Sequence, residues 1–318
     1  MKILVTGGCG YVGTVLIDYL LKDNHAITVI DTEWFGNYLE KHKNLNIIKE
    51  NILNLEKFSF EGYESIIHLA NIANDPAVDL DQTLSWEVNA LAAQQIADKA
   101  VRDGVNQIIY ASSGSVYGIK DEDKVTEELS LVPISAYNKT KMVAERIFLS
   151  HKDKIKIHCI RPATVCGYSP RMRLDLSVNM LTMQALSNKK ITVFGGNQIR
   201  PNINIHDMCR VYQHFLSKSE IDSGTFNAGF ENISILDIAK KVKEKIDTDI
   251  IITESNDPRS YRQNSDKLFS TGFIQKYFVD DAINEIIEKF NNKELEDKEE
   301  HYTIKMMKKI LSQESQKI

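Results

Sequence analysis

Short apolar runs alternate with amphipathic stretches through the first half of the chain. The runs are rich in Ile, Val and Leu, which is typical of strands buried on both faces, and they predict strands at residues 2–6, 26–31, 46–49, 65–69, 107–112 and 156–161. Apolar residues at helical spacing between the runs predict helices at residues 12–22, 82–103 and 136–151. This alternation is typical of an α/β fold in which helices cover both faces of a doubly wound parallel sheet.

The pattern becomes less regular after Pro162. An irregular stretch leads to a predicted helix at residues 174–187, and shorter strands and helices follow as far as residue 290. The last segment is dense in Lys and Glu and has few apolar positions, which is typical of surface helices. We therefore predict a larger domain over residues 1–168, a smaller α/β domain over residues 169–290, with the chain able to cross between them, and C-terminal surface helices over residues 291–318.

Composition narrows the functional classes. The chain has 318 residues, 42% of them hydrophobic and 26% charged, which provides enough apolar material for a large core. Its net charge of -5 is spread over interleaved acidic and basic residues, so we expect no nucleic acid partner. No apolar stretch approaches the roughly 20 residues needed to cross a bilayer, and the N-terminus lacks the pattern of a signal peptide. We therefore expect a cytoplasmic protein without membrane association.

The four cysteines predict no metal site. Cys9, Cys159, Cys166 and Cys209 show neither a C-x-x-C pair nor histidines at zinc-binding spacing. We expect them to be reduced thiols, as is usual inside cells.

A glycine-rich loop follows the first predicted strand and precedes the first predicted helix. Gly7, Gly10 and Gly13 let the backbone turn tightly, approach a pyrophosphate closely and pack the helix on the strand. Free N–H groups at the start of the helix then favour the phosphates. The second strand ends in Asp31, whose carboxylate is placed to accept from the adenosine ribose hydroxyls and to repel a 2′-phosphate. Since no Lys or Arg occurs at residues 32–40, the sequence predicts a Rossmann-type site for NAD rather than NADP.

A second set of polar residues indicates chemistry. Tyr137 and Lys141 are four residues apart at the start of a predicted helix and therefore project from the same face. Ser112, Ser113 and Ser115 leave the carboxyl end of the preceding predicted strand, the edge at which open α/β sheets bind ligands. The pattern predicts an active site that combines one of these hydroxyls with the Tyr-Lys pair.

Together, these motifs resemble the extended short-chain dehydrogenase/reductase family, and within it the nucleotide-sugar epimerases, dehydratases and dehydrogenases. The resemblance covers residues 1–290 and implies NAD as cofactor and a nucleotide sugar as substrate. Besides the glycine loop and the Tyr-Lys pair, its motifs are His68-Leu69-Ala70, Asn89, Val116-Tyr117-Gly118, Arg161-Pro162 with Thr164 and Gly167, Phe194-Gly195-Gly196 with Arg200, His206-Asp207, and Asp257-Pro258-Arg259-Ser260-Tyr261-Arg262.

The resemblance implies roles for individual residues. Tyr137 would be the general base, Lys141 would favour its phenolate and hold the nicotinamide ribose, and Ser113 would hydrogen-bond the reacting oxygen. Alignment on Val116-Tyr117-Gly118 selects Ser113 among the three serines. Further cofactor contacts would come from Tyr11, Val12, Asn51, Ile52, Leu69 and Ala70, and Tyr137 itself would also contact the cofactor.

For the substrate, the resemblance implies arginines that face the diphosphate. Arg200 and Arg259 match these positions, and Arg262 would share the role. Thr164 and Asn179 would contact the diphosphate or the base, and Asn74 would border the sugar. Ordinary surface, loop and capping roles are the alternatives for these residues. The expected assembly is a homodimer built from the helices at residues 82–103 and 136–151.

The loop around Ser113 narrows the reaction. Gly114 and Ser115 stand where sugar 4,6-dehydratases carry an acidic pair, and the loop lacks the reactive cysteine of 3,5-epimerases. What remains is oxidation at C4 to a 4-keto sugar, which is either released or reduced again on its other face, as in a 4-epimerase. An NAD-binding regulator without catalysis is the alternative from another class, although it would not need Ser113, Tyr137 and Lys141.

The pattern over residues 34–36, 74–76 and 171–176 resembles a bacterial branch of enzymes of capsule, O-antigen and heptose pathways. It implies GDP-manno-heptose as the particular substrate and C4 dehydrogenation as the reaction.

Overall fold

The computed structural model describes residues 1–254 and 260–315. Its strands are Lys2–Thr6 (β1), Ala26–Asp31 (β2), Leu45–Lys49 (β3), Ser65–His68 (β4), Gln107–Ala111 (β5), Lys156–Pro162 (β6), Thr164–Cys166 (β7), Lys190–Phe194 (β8), Ile199–Asn204 (β9), Gly224–Ala228 (β10), Glu231–Ser234 (β11) and Asp249–Thr253 (β12). Its α-helices are Tyr11–Lys22 (α1), Asp75–Val78 (α2), Gln82–Trp86 (α3), Ala92–Arg102 (α4), Ala136–Leu149 (α5), Ser177–Asn188 (α6), Ile205–Ser217 (α7), Ile235–Lys243 (α8), Asp266–Ser270 (α9), Val279–Asn291 (α10) and Thr303–Ser315 (α11). Short 3-10 segments lie at Ile52–Lys57, Gly114–Tyr117 and Glu299–His301, and a π-helical turn lies at Glu87–Leu91.

Seven parallel strands form the main sheet in the order β10-β6-β5-β4-β1-β2-β3. All six strands predicted from the first half of the chain belong to it, each within one residue of its predicted bounds. The strand order reverses at β1, which has β2 on one side and β4 on the other, and this opens a crevice at the carboxyl ends of these strands. The predicted α/β fold with a Rossmann-like parallel sheet is confirmed.

The main sheet holds together because alternate side chains of each strand enter cores on opposite faces. Ile3 and Val5 of β1 pack into one core, where they meet Ile67 of β4. Leu4 of β1 points to the other face and packs in a second core with Ile66. Burial on both faces explains why the strands read as continuous apolar runs in the sequence.

The chain returns to the main sheet late in the sequence. Strand β10 pairs in parallel with β6, and α7 packs on α1, where Phe215 and Leu16 share one core. A three-stranded sheet, β11-β9-β7, and a two-stranded sheet, β12-β8, lie outside the main sheet. Around them α6, α8 and α10 bury Val178, Ile238 and Ile283.

The helix predicted at residues 82–103 contains a π-helical turn. It consists of α3, a π-helical turn and α4. The buried Asn89 lies in that turn, where its side chain accepts a hydrogen bond from Ile72 N at 2.8 Å and donates one to Ile72 O at 3.1 Å. A π turn inserts one extra residue into a helix, so the helix predicted at residues 82–103 is confirmed over residues 82–102, with a π turn where Asn89 binds a distant backbone segment.

The C-terminal helix α11 has one buried face. Met307 packs into the core that contains Ile52 and Leu55. Just before the helix, His301 O accepts a hydrogen bond from Leu174 N at 2.8 Å. The charged C-terminal segment is therefore docked on the core beside the 3-10 segment Ile52–Lys57 and on the loop that precedes α6.

All four cysteines are buried, and none forms a disulfide. Across residues 1–254 and 260–315, no helix is both long and apolar enough to span a membrane.

A buried ion pair links α5 to β6 beneath the crevice. Arg161 Nε donates to Glu145 Oε2 at 3.0 Å, and both side chains are almost fully buried. Ser112 Oγ donates to the same carboxylate oxygen at 2.9 Å. Arg161 Nη1 also donates to the Tyr117 hydroxyl at 2.6 Å, which in turn donates to Asn227 Oδ1 at 2.8 Å. The network thus ties α5, the end of β5, β6 and β10 together.

Glu145→Ala should lower the free energy of unfolding by about 3 to 5 kcal/mol, because it leaves the buried Arg161 guanidinium without its carboxylate. Chemical denaturation followed by circular dichroism measures this loss. Glu61→Ala, which removes an exposed carboxylate, is the control and should change stability by less than about 0.5 kcal/mol. Equal effects of the two substitutions would contradict the structural role of the pair.

Candidate active site

A cleft of about 470 Å³ opens at the carboxyl ends of β1, β2, β4 and β5. It brings together most of the residues that the sequence singled out. The predicted residues that line it are Gly7, Gly10, Tyr11, Val12, Gly13, Asp31, Asn51, Ile52, Leu69, Ala70, Asn74, Ser113, Tyr137, Lys141, Thr164 and Arg200.

The glycine loop fits a dinucleotide pyrophosphate. Gly7 has a left-handed φ of +75°, and a Cβ there would lie 2.5 Å from Ala70 N. A Cβ on Gly13 would lie 2.5 Å from Gly7 O, so the loop can close against α1 only if both residues are glycine. Helix α1 begins after Gly10 without a side-chain cap. Its first N–H groups are therefore available to an anion in the cleft.

Asp31 is held at the rim of the cleft by two backbone groups. Its Oδ2 accepts from Cys9 N at 2.9 Å and its Oδ1 accepts from Glu33 N at 2.7 Å. Burial raises the pKa of the Asp31 carboxyl, while the two backbone hydrogen bonds oppose that rise. Each oxygen keeps a second lone-pair site, which suits the two hydroxyls of an adenosine ribose.

Asn51 lies at the same end of the cleft and caps a 3-10 segment. Its side-chain oxygen accepts from Leu53 N at 3.0 Å. The amide group of Asn51 therefore remains as a donor toward the cleft, and the same side-chain oxygen keeps one acceptor site.

The serines that follow β5 have different partners. Ser112 is buried and bound to Glu145, as described above. Ser113 Oγ lies 2.7 Å from Ser115 Oγ, and its side-chain hydrogen bond to Tyr137 lowers the pKa of that tyrosine. Ser113 is therefore the serine that accompanies Tyr137 in the cleft.

Tyr137 has competing influences on its acidity. Burial raises the pKa of Tyr137 to about 12, while the Ser113 hydrogen bond and the positive charge of Arg173 lower it and the Asp75 carboxylate raises it. Asp75 accepts a short hydrogen bond from Ser135 Oγ, and Ser135 in turn caps α5 by accepting from Asn138 N. Asp75 thereby fixes the start of the helix that carries Tyr137.

Lys141 lies one helical turn after Tyr137 and is only 2% exposed. Its Nζ donates to Ala111 O at 2.6 Å and lies 6.0 Å from the centre of the Tyr137 ring. Burial lowers the pKa of Lys141 to about 7. In the protein without cofactor, the Lys141 ammonium therefore loses its proton near neutral pH. The cation that favours the Tyr137 phenolate in this structure is Arg173.

The predicted substrate residues divide into two groups. Thr164 and Arg200 line the cleft, as does Asn74, whose side chain caps α2 and whose backbone has a left-handed φ of +76°. Asn179 and Arg262 do not line it.

Asn179 is committed to contacts within the protein. It is fully buried, accepts from Gly167 N at 3.0 Å and donates to the Tyr11 hydroxyl at 3.0 Å and to Arg173 O at 2.9 Å. Its geometry is that of a residue that holds the loop before α6 against α1. Arg262 is exposed, and Arg259 lies outside the described residues.

Several residues of the cleft were not predicted as site residues. Arg171 and Arg173 enter from the loop before α6, and Thr303 and Met307 enter from α11. Arg173 forms a two-point ion pair with Asp175, with both N–O distances at 3.0 Å. The arginines lie in the stretch at residues 171–176 that the sequence had singled out without assigning a role.

Comparison with known proteins agrees with this geometry. Residues 3–229 match the NAD dependent epimerase/dehydratase family. The chain is 33% identical over 266 residues to the uncharacterized UDP-glucose epimerase YtcB of Bacillus subtilis, which covers 77% of this chain and 82% of that protein. It is 26% identical over 272 residues to the UDP-glucose 4-epimerase of Lactobacillus helveticus, with 76% and 82% covered.

Solved structures share the fold. The UDP-glucuronic acid 4-epimerase of Bacillus cereus, in complex with UDP-glucuronic acid and NAD, aligns with a TM-score of 0.79 at 27% identity over 92% of this chain and 100% of that chain. The UDP-glucose 4-epimerase of Thermotoga maritima aligns with a TM-score of 0.84 at 23% identity over 93% of this chain and 100% of that chain.

The fold and the cleft define a dinucleotide-dependent enzyme of the Rossmann class. More particularly, the chain belongs to the NAD dependent epimerase/dehydratase family. Its cofactor is accordingly NAD, as the glycine loop and Asp31 predicted.

Lys141 should make the stability of the protein without cofactor depend on pH. Its pKa is about 7 in the folded state and about 10.4 when unfolded. Between these values the unfolded chain binds more protons, so stability rises with pH, by about 2 kcal/mol from pH 7 to pH 9. The contribution is complete only above the unfolded pKa and is lost as pH falls toward the folded pKa.

Denaturation of the protein and of a Lys141→Met variant at pH 7 and pH 9 measures this effect. The variant should be more stable than the parent at pH 7 and should lack this part of the pH dependence. Identical pH slopes for the two proteins would contradict the lowered pKa.

Proposed function

We propose that this chain oxidises the C4 hydroxyl of a nucleotide-activated sugar to a ketone, with NAD as the oxidant. The observation that carries the proposal is the grouping of Ser113, Tyr137 and Lys141 in the same cleft as a glycine loop that fits a dinucleotide. The relatives named above, which are epimerases of UDP-sugars, support a nucleotide sugar as the substrate class.

The protein groups divide the proton chemistry among themselves. Tyr137 removes the proton from the sugar hydroxyl, and Ser113 orients the reacting oxygen through its own hydroxyl. The Ser113 hydrogen bond and the Arg173 charge both favour the phenolate that this role requires. Lys141, fixed by Ala111 O, supplies donors at the base of the same wall. When bound, NAD supplies the hydride-accepting chemistry.

The surroundings of Ser113 argue against elimination of water as the main reaction. Gly114 has no side chain, and a Cβ there would lie 3.0 Å from Gln263 Oε1 and 3.2 Å from Pro162 O. A side chain at this position would therefore require Gln263 and Pro162 to shift by a few tenths of an ångström, and glycine itself offers no acidic group beside Ser113. The carboxylate whose negative charge acts on Tyr137 is that of Asp75. It accepts a hydrogen bond from Ser135 and so positions α5.

A 4-epimerase is the second candidate. It uses the same residues, but the ketone is reduced again on its other face before it leaves the cleft. The UDP-glucose epimerases of Bacillus subtilis and Lactobacillus helveticus favour this outcome.

GDP-manno-heptose is the particular substrate that we propose for the dehydrogenase reaction. It follows from the sequence pattern at residues 34–36, 74–76 and 171–176. Residues from all three stretches line the cleft, among them Trp34, Phe35, Asn74, Arg171 and Arg173. The substrate proposal therefore concerns residues that a bound sugar nucleotide would meet.

Product analysis separates these reactions. The purified protein is incubated with NAD and a panel of GDP-, UDP- and dTDP-sugars that includes GDP-manno-heptose, and products are followed by mass spectrometry and proton NMR. We expect loss of two hydrogens together with formation of NADH. An unchanged mass with an inverted C4 signal would instead establish the epimerase.

Tyr137→Phe is the matched variant for this assay, because it removes only the hydroxyl. It should lower turnover by about 100- to 10,000-fold, the usual contribution of a general base, and should leave NAD affinity nearly unchanged. Full turnover by this variant would overturn the proposed mechanism, and loss of one water from the product would overturn the proposed reaction.

We also propose that the chain forms a homodimer through the region of residues 82–103 and 136–151. Trp86 and Leu91 are large apolar residues on this surface, and Leu91 is 59% exposed. Helices α4 and α5 pack side by side beneath it. A self-complementary contact here would bury these side chains.

Leu91→Glu should convert the dimer to a monomer, because it places charges at the centre of the contact. Light scattering coupled to size-exclusion chromatography measures the mass. Ile274→Glu, at a residue 70% exposed elsewhere on the chain, is the control and should remain dimeric. A monomeric mass for the unmodified protein would refute the assembly.

A further inference from the structure

Arg161 and Arg171 are buried and Arg173 is mostly buried, and these three arginines differ in their partners. Arg161 is paired with Glu145, and Arg173 is paired with Asp175. Arg171 is just 4% exposed, yet within the described residues it makes neither a hydrogen bond nor an ion pair, and its buried Nε has no acceptor. A buried charge without a partner is unfavourable. An anion from a bound ligand would therefore supply the partner that Arg171 lacks among the described residues.

The position of Arg171 indicates where that anion would lie. Its guanidinium lies over the Phe35 ring, with Cζ 4.0 Å from the ring centre, and Phe35 follows shortly after Asp31. Arg171 lines the same cleft as Tyr11 and Val12, the first residues of α1. The uncapped start of α1 and a buried, unpaired guanidinium thus belong to one cavity.

Hydrogen bonds hold the Arg171 loop against the start of α1. Ser169 Oγ donates to Tyr11 O at 2.8 Å, and the Tyr11 hydroxyl donates to Gly167 O at 2.7 Å. On the other side of Arg171, Leu174 N donates to His301 O. The loop is therefore fixed at both ends, and Arg171 does not depend on a flexible segment for its place.

The charge state of Arg171 is compatible with anion binding. Burial and then the neighbouring charge of Arg173 lower the pKa of Arg171 to about 10, while Asp175, Tyr38 and Asp31 oppose that effect. The guanidinium is therefore charged at neutral pH. Its planar guanidinium can donate two parallel hydrogen bonds to phosphate oxygens, whereas a lysine ammonium binds phosphate as a point charge.

We propose that Arg171 binds a phosphate group of the dinucleotide cofactor, on the side of the cleft opposite the amides of the glycine loop. The contact would join the loop before α6 directly to the cofactor, so that the cofactor helps to fix the wall that faces the sugar. This inference rests on the family's cofactor and not on the C4 reaction or on the identity of the sugar.

Three phosphate sources share this chemistry: the pyrophosphate of NAD, the 2′-phosphate of NADP and the diphosphate of the nucleotide sugar. The pyrophosphate is favoured because Ser169 ties the loop to the first turn of α1, where the glycine amides are. Asp31 disfavours the 2′-phosphate, since two negative groups would then lie together.

The test measures binding without turnover. Isothermal titration calorimetry with the full chain gives the Kd values of NAD, NADP, ADP, adenosine, UDP and GDP for the unmodified protein and for Arg171→Gln, Arg171→Lys and Arg102→Gln. Arg102→Gln removes the same charge at a side chain that is 69% exposed, and it controls for net charge.

Arg171→Gln should raise the Kd values of NAD and ADP by about 10- to 100-fold, the range for a charge-assisted hydrogen bond. The Kd values of Arg171→Lys for NAD and ADP should lie between those of the unmodified protein and Arg171→Gln. The Kd of adenosine should not change in any variant, and Arg102→Gln should bind every ligand as the unmodified protein does. Without ligand, Arg171→Gln should melt no lower than the parent, because it removes an unpaired charge, and the rise in Tm caused by NAD should shrink.

Unchanged NAD and ADP affinity in a folded Arg171→Gln variant would overturn the proposal. So would a loss confined to NADP, which would assign the guanidinium to a 2′-phosphate, or a loss confined to UDP and GDP, which would assign it to the substrate diphosphate. None of these outcomes bears on whether C4 is oxidised, because the titrations contain no nucleotide-sugar substrate.

Discussion

One carbonyl oxygen, that of Gly7, occupies the space that side chains at positions 10 and 13 would need. This close approach brings the start of α1 directly onto the end of β1 and leaves its first N–H groups uncapped. The reversal of strand order at β1 then places the same groups at the mouth of a crevice rather than beneath another strand. The cofactor site thus follows from a packing constraint that only glycine satisfies.

The catalytic wall depends on a different physical device, a buried network of charges. Glu145 and Arg161 neutralise each other beneath the cleft and bind Ser112 and Tyr117, so that β5, α5 and β6 keep fixed relative positions. This arrangement leaves Ser113 and Tyr137 on the cleft side. One helical turn after Tyr137, burial lowers the pKa of Lys141 to about 7. The same low-dielectric surroundings therefore both stabilise the wall and tune its acidity.

The loop before α6 and the C-terminal helix close the cleft from the other side. Both are far in sequence from the glycine loop, yet they contribute Arg171, Arg173, Thr303 and Met307 to the lining of the cleft. The two arginines differ in their partners, since Arg173 forms an ion pair with Asp175 and Arg171 has no ion-pair partner among the described residues. The cleft thus combines a glycine-loop half with a half in which one arginine is paired and another is not.

Local patterns in the sequence were sufficient to predict the parallel sheet, the glycine loop, the NAD preference indicated by Asp31, and the Tyr137-Lys141 pair, because each depends on residues close together in the chain. Tertiary structure decided what depends on distant contacts. Ser112 donates a hydrogen bond to Glu145, which leaves Ser113 as the serine beside Tyr137. The side chain of Asn179 is hydrogen-bonded to Tyr11 and Gly167 and is therefore not available to a substrate. Arg171 comes to lie beside Phe35, more than a hundred residues earlier, through packing alone. The periodicity of a sequence records which side chains are buried, but not which distant groups share their burial, and the polar chemistry of this cleft depends on those distant groups.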